Sequence, residues 1–157
     1  MGRSLCSLLV TALLIGCTTP SQQALPPVLP ADLSPAMRDL FLAERRWDMR
    51  RPSRYEFGVE IRCFCVGLVT PPPRFVVLDG APSALDRQPG EPSRLYQSFD
   101  TIDELFQRIR AAIKSGEHKI AVVYDADLGY PRVADLDPLE RTVDEELYFR
   151  VVDFTVR

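Results

Sequence analysis

The chain has 157 residues, 46% of them apolar, which suits one globular domain with an ordinary core. Its 19 basic and 22 acidic residues leave a net charge of −3, which excludes the strongly basic face that an extended nucleic-acid surface requires. Fourteen prolines are too many for an ideal helical bundle, and their placement is informative.

Arg3 supplies a positive start, Leu5 to Ile15 is an apolar run, and small Gly16 precedes Cys17, which is the anatomy of a signal peptide. The run is too short to span a bilayer as a helix, which takes about 20 apolar residues. Leu14-Ile15-Gly16-Cys17 resembles the lipobox of bacterial lipoproteins. The resemblance implies cleavage between Gly16 and Cys17, a diacylglyceryl thioether on Cys17 and acylation, typically with palmitate, of the new amine. One acyl chain holds only marginally, so lasting attachment takes two or more. Residues 1–16 are then the signal peptide, and the lipid bilayer is a partner through acylated Cys17. Thr18 stands where an inner-membrane lipoprotein often has Asp, so the implied address, for a Gram-negative cell, is the periplasmic face of the outer membrane. The other reading is an ordinary cleaved signal peptide in which Cys17 is incidental.

Residues 17–33 carry Pro20, Pro26, Pro27 and Pro30 among Ser21, Gln22 and Gln23, and read as a tether with a reach approaching ~50 Å in a polyproline-like state. The domain occupies 34–157. Ser34-Pro35 is a helix start, with serine as N-cap and proline at the first helical position. Met37, Leu40, Phe41, Glu44 and Trp47 follow helical spacing to about residue 50, and Pro52 ends the run. From Tyr55 to Cys65 apolar and polar residues alternate, which predicts a half-buried strand with Cys63 and Cys65 on its buried face. Pro71 to Pro73 form a rigid loop. Phe75 to Leu78 reads as a strand, Asp79-Gly80 as a hairpin turn and Ala81 to Leu85 as the return strand, kept to an edge by Pro82. Residues 86–98 read as a loop.

Thr101 and Glu104 form a capping box, and Ile102, Leu105, Phe106, Ile109 and Ile113 lie on one helical face before Gly116 stops the helix. Ile120, Val122 and Tyr124 begin a strand, Asp127-Leu128-Gly129 turns it, and Tyr130 to Leu136 returns alongside. Leu147 to Val156 is a last strand, apolar on both faces as a central strand should be. The order α-β-β-β-α-β-β-β predicts an α+β fold: a twisted antiparallel sheet of five to six strands with two helices packed on one face. The order permits a twofold repeat, although no internal sequence similarity supports one.

With Cys6 leaving in the signal peptide and Cys17 lipidated, Cys63 and Cys65 are the remaining thiols, and an oxidising compartment favours a disulfide. Residues two apart on an extended strand, however, have Cα atoms near the upper limit for a bridge, about 6.8 Å. A bridge needs a bend at the strand end. Three readings stand: a disulfide, two buried thiols, or a redox or metal pair. A metal site wants four ligands, and His118 is the single histidine.

Asp125, Asp127, Asp135, Asp137, Asp144, Glu145 and Glu146 make one stretch acidic. A calcium loop needs a ligand at its fifth position and a bidentate acid at its twelfth, where this chain has Gly129 and Leu136, so the aspartates read as turn formers. Arg45, Arg46, Arg50, Arg51 and Arg54 make a basic patch at a helix end, where the dipole favours cations. Anionic headgroups or peptidoglycan acids are its alternative partners. No phosphate loop, nucleophile elbow or histidine-carboxylate spacing is present, so no metal and no cofactor is expected.

Trp47, Tyr55-Glu56-Phe57, Cys63-Phe64-Cys65, Thr101 to Phe106, Tyr124-Asp125, Gly129-Tyr130-Pro131 and Asp137, in this order and spacing, resemble a domain-of-unknown-function family of bacterial secreted and lipoprotein domains. The resemblance covers residues 40–156 and brings no activity with it. It marks Cys63, Cys65, Tyr124, Asp125, Gly129, Tyr130 and Pro131 as matching positions, and implies that Gly129 permits a positive φ while Pro131 fixes the exit of the turn. The expected function is that of an envelope-anchored, non-catalytic binding or structural module that meets an envelope protein or component. The alternative is a periplasmic thiol/disulfide-active protein using Cys63 and Cys65.

Overall fold

The computed structural model describes residues 32–66, 68, 71–82, 94–139 and 146–157. The signal segment, Cys17 and the tether up to residue 31 lie outside the described residues. Helix α1 is Pro35–Arg50; strands β1 (Arg54–Arg62), β2 (Arg74–Leu78) and β3 (Ala81–Pro82) follow. A short 3-10 turn, Arg94–Ser98, leads to α2 (Ile102–Ser115), then to β4 (Lys119–Tyr124), β5 (Pro131–Asp137) and β6 (Leu147–Val156). The six strands form one antiparallel sheet in the order β3-β2-β1-β6-β5-β4. Each half of the chain is thus a helix and a three-stranded meander. The halves join where the first strand of one meets the last strand of the other.

Local chemistry sets most element ends. Ser34 Oγ accepts from the Met37 amide at 3.2 Å, and Thr101 Oγ1 accepts from the Glu104 amide at 3.1 Å, each satisfying a free N–H of a first helical turn. Gly116 closes α2 in the left-handed region at φ 72°. Asp79 and Gly80 take φ values of 49° and 81°, the pair of positive angles that a two-residue hairpin turn demands. β3 stays on the edge with Pro82, and residues 83–85 of the expected return strand lie outside the described residues. Within the expected loop 86–98, the 3-10 turn buries Tyr96, and Phe99 just after it is also buried.

Both helices cover one face of the sheet. Tyr55, Phe57 and Val59 of β1, Val77 of β2, Ala134 of β5 and Phe149 of β6 pack there against Leu40, Ala43 and Trp47 of α1 and Leu105, Phe106 and Ile109 of α2. The other face carries cross-strand ion pairs: Arg150 with Glu60 at 2.5 Å, Arg157 with Glu56 at 3.1 Å and Lys119 with Asp135 at 2.7 Å.

β6 is central, as expected, with Tyr148 and Val152 on the face away from the helices, but Phe154 reaches the helix face for a separate reason. Glu56 pairs with Thr155 and Gly58 with Val152, so Asp153 and Phe154 together oppose Phe57. That extra residue is a β-bulge with Asp153 at φ 52°, and it returns Phe154 to the helix face on which Phe149 and Val151 already lie.

A second correction concerns β1. It ends at Arg62, and Cys63 and Cys65 lie in the bend beyond it, half-buried. The alternation of residue types continues past the last strand pair, Arg62 with Tyr148, but the backbone does not stay extended.

Candidate functional site

The positions Tyr124, Asp125, Gly129, Tyr130 and Pro131 meet at the turn between β4 and β5, which sits on α1. Asp125 Oδ1 accepts from the amides of Asp127 at 3.0 Å and Leu128 at 2.8 Å, while the Gly129 amide donates to the Asp125 carbonyl at 3.1 Å. The carboxylate therefore shapes the turn, as a short polar side chain does in an Asx turn. Gly129 lies at φ 89°, and a Cβ there would stand 2.3 Å from the Ala43 carbonyl oxygen and 2.8 Å from Arg46 Cβ. No other residue permits both that angle and that approach.

Two arginines of the basic patch hold the same turn. Arg46 donates to the Ala126 carbonyl at 3.1 Å and Arg50 to the Asp127 carbonyl at 2.7 Å. Tyr130 then stacks on Phe154 with ring centres 4.3 Å apart, and Trp47 stands edge-on to Tyr55, Phe154 and Tyr130. Pro131 is buried at the first position of β5, where its missing N–H is tolerated. Tyr124 stacks over Phe106, and burial, with Asp39 and Glu44 nearby, pushes its phenol up.

Beside this clamp lies a cleft of about 340 Å³ lined by Arg51, Ser53, Tyr55, Asp79, Gly80 and Asp103. Asp103 is committed on both oxygens, to Trp47 Nε1 at 3.2 Å and to Arg51 at 3.4 Å. The Tyr55 hydroxyl accepts from the Ile102 amide at 3.4 Å, and burial raises its phenol. The lining thus combines an arginine, a tyrosine, a serine and two acids, of which Asp103 is already engaged.

The Cys63–Cys65 corner is elsewhere. The two sulfurs are bonded, and the bend brings the Cα atoms to 5.2 Å, inside the range for a bridge. Phe64 and Val66 around it are 83% and 97% exposed. Arg62, the last residue of β1, lies over the Tyr148 ring at 4.3 Å on the open face. The nine residues of β1 separate this corner from the clamp, roughly 27 Å at the rise of a strand. The structure therefore divides the family-like positions between two places.

Of the remaining acids, Asp135, Asp137 and Glu146 all lie near the Lys119 ammonium and raise it. Asp135 pairs with Lys119, Asp137 accepts from the Leu139 amide at 3.0 Å, and Asp144 and Glu145 lie outside the described residues. His118 is exposed. Among the described residues no three His, Cys, Asp or Glu side chains form a group that could hold a metal ion. Three contributors carried a weaker signal in the sequence. Arg108 donates to the Ser98 carbonyl at 3.1 Å and to the Ser98 hydroxyl, and it lies 4.0 Å over the Phe99 ring, so it fastens the 3-10 turn to α2. Tyr96 and Phe99, aromatic in a stretch otherwise rich in proline and charge, were the visible sign of that buried turn.

No curated protein and no solved structure matches the chain. The model of a family of unknown function, DUF6174, matches residues 39–156, which include the clamp and the cysteine corner. The chain belongs to that family.

Proposed function

We propose that this protein is an envelope-anchored lipoprotein whose domain is a non-catalytic binding or structural module on the periplasmic face of the outer membrane. The carrying observation is Leu14-Ile15-Gly16-Cys17 followed by a proline-rich segment that runs up to the capped start of α1 at Ser34. Two or more acyl chains on Cys17 hold such a protein without a spanning segment. No described helix is long and apolar enough to cross a membrane, which is compatible with a lipid anchor. The polar groups that meet at the β4–β5 turn are spent on shaping it, through Asp125, and on holding it to α1, through Arg46 and Arg50, which favours a scaffold over a reactive centre.

Feeding cells a clickable palmitate analogue tests the anchor. The full chain takes the label, and Cys17→Ala loses it and keeps residues 1–16; label that persists in Cys17→Ala overturns the reading. Crosslinking in the intact envelope tests the module. One reproducible crosslinked band supports it, whereas a chain that crosslinks to nothing, with lysines and acids both targeted, overturns it.

A further inference from the structure

We infer that Cys63–Cys65 is an exchangeable disulfide that takes electrons from the dithiol of a polypeptide with exposed apolar side chains. Three observations on the corner carry this. First, the bond closes a loop around a single residue, Phe64. A cross-link restrains the unfolded chain less as the loop it closes becomes shorter, so folding gains least from a bond of this kind. The bond also lies beyond the last β1–β6 pair, Arg62 with Tyr148, so opening it breaks no ladder. Second, the two sulfurs are unequal. Both residues are half-buried, yet Cys63 packs against the core while Cys65 is not part of that cluster. Of the two, Cys65 is the one left for a partner's thiolate, because Cys63 is packed against the core.

Third, the surroundings are apolar in water. Phe64 and Val66 are almost wholly exposed, and Leu68 is partly so. The two strand-joining turns that are described throughout, Asp79-Gly80 and Asp125 to Gly129, use aspartate and glycine. A bend that only joined β1 to β2 would have no use for a projecting phenylalanine. An unfolded or partly folded chain presents apolar side chains that Phe64 and Val66 can cover while its cysteine approaches Cys65.

The exchange balances without a cofactor. A thiolate of the partner attacks Cys65 Sγ, the Cys63–Cys65 bond breaks, and Cys63 leaves as a thiolate that takes a proton from water. The partner's second thiolate then attacks its own sulfur in the mixed disulfide, forming the partner's disulfide and releasing Cys65. Two electrons pass from the partner dithiol to the pair, and a small-molecule disulfide such as oxidised glutathione re-forms the bond by the reverse exchange. The inference leans on the proposed function only for an oxidising compartment, and its test does not involve the anchor.

The test uses the full chain in mild detergent, with a synthetic dithiol peptide rich in leucine and valine and a control in which those residues are serine. Oxidation of the peptide is followed by mass after acid quenching. The apolar peptide is expected to be oxidised about tenfold faster than the control, and about tenfold faster than by oxidised glutathione at equal disulfide concentration. Quenched intermediates carry the peptide on Cys65. Phe64→Ser and Val66→Ser, both at exposed positions, are expected to remove most of the preference for the apolar peptide while leaving the glutathione equilibrium of the pair unchanged. Oxidation no faster than by glutathione, equal rates for the two peptides, or variants that keep the preference would overturn the inference and leave the corner a structural clip. Cys17→Ala is expected to exchange at the unaltered rate, so failure of the anchor and failure of the exchange are read separately.

Discussion

At the Arg54 end of β1 the motif residues are engaged, whereas at its Arg62 end the chain leaves the sheet with apolar side chains in solvent. Gly129 touches α1 backbone, Asp125 feeds two amides, Arg46 and Arg50 cap two carbonyls, and Trp47 spends its N–H on Asp103. Phe64 and Val66, by contrast, stand in water around a bond that closes one residue. Both regions fall within the same family match. The contrast teaches that residues sharing one motif pattern divide between holding the fold and facing outward.

Stability measurements can break or sharpen this contrast. Gly129→Ala combines a φ of 89° with a methyl driven into the Ala43 carbonyl, and in urea unfolding it is expected to cost about 3 kcal/mol or more. A loss below 1 kcal/mol, on the order of an ordinary surface change, would mean that the turn is not clamped. Asp125→Ala removes the acceptor of two amides and is expected to cost about 2 kcal/mol, with Asp125→Asn recovering most of it because an amide oxygen can still accept. Replacing Cys63 and Cys65 together by serine is expected to cost no more than about 1.5 kcal/mol, the modest figure for so short a loop. A loss matching that of Gly129→Ala would erase the distinction between the two ends.

The smallest effect concerns pH. Glu117 Oε2 is buried without a hydrogen-bond partner, and burial first, then Asp137, raises its carboxyl, with Ser115 acting the other way. The folded state therefore binds the proton more tightly than the unfolded state does. Its penalty is absent below the ordinary glutamate value and complete above the raised one, so stability falls as pH rises through that window. Glu117→Gln is expected to flatten this fall, as read from urea midpoints between pH 4 and pH 7; an unchanged slope would show that Glu117 is not its source.

Much of the fold was legible because its signals are local. Ser34-Pro35, Thr101 with Glu104, Asp79-Gly80 and Gly116 each act within about four residues, and all four stand where the pattern places them. The alternation in β1 and the 3.6-residue stripe of α2 likewise name the faces that become the core. The candidate site was less legible. Asp125 read correctly as a turn former, but nothing in its neighbourhood says that the turn lands on Ala43, or that Arg46 and Arg50 reach across some 80 positions of chain to its carbonyls. Cys63 and Cys65 continued the alternation of β1, and residue type alone did not reveal that pairing with β6 stops at Arg62.

By itself, then, the sequence determined the order of helices and strands, the antiparallel α+β class and the single cysteine pair available to the domain. Only the tertiary structure decided that β1 lies beside β6, that the Asp153 bulge returns Phe154 to the core, and that the cysteines fall outside the ladder. The physical reason is range. Caps, turns and periodicity are interactions among neighbours in the chain, while strand partners, close backbone approaches and the end of a ladder depend on groups that meet only after the chain has closed around its core.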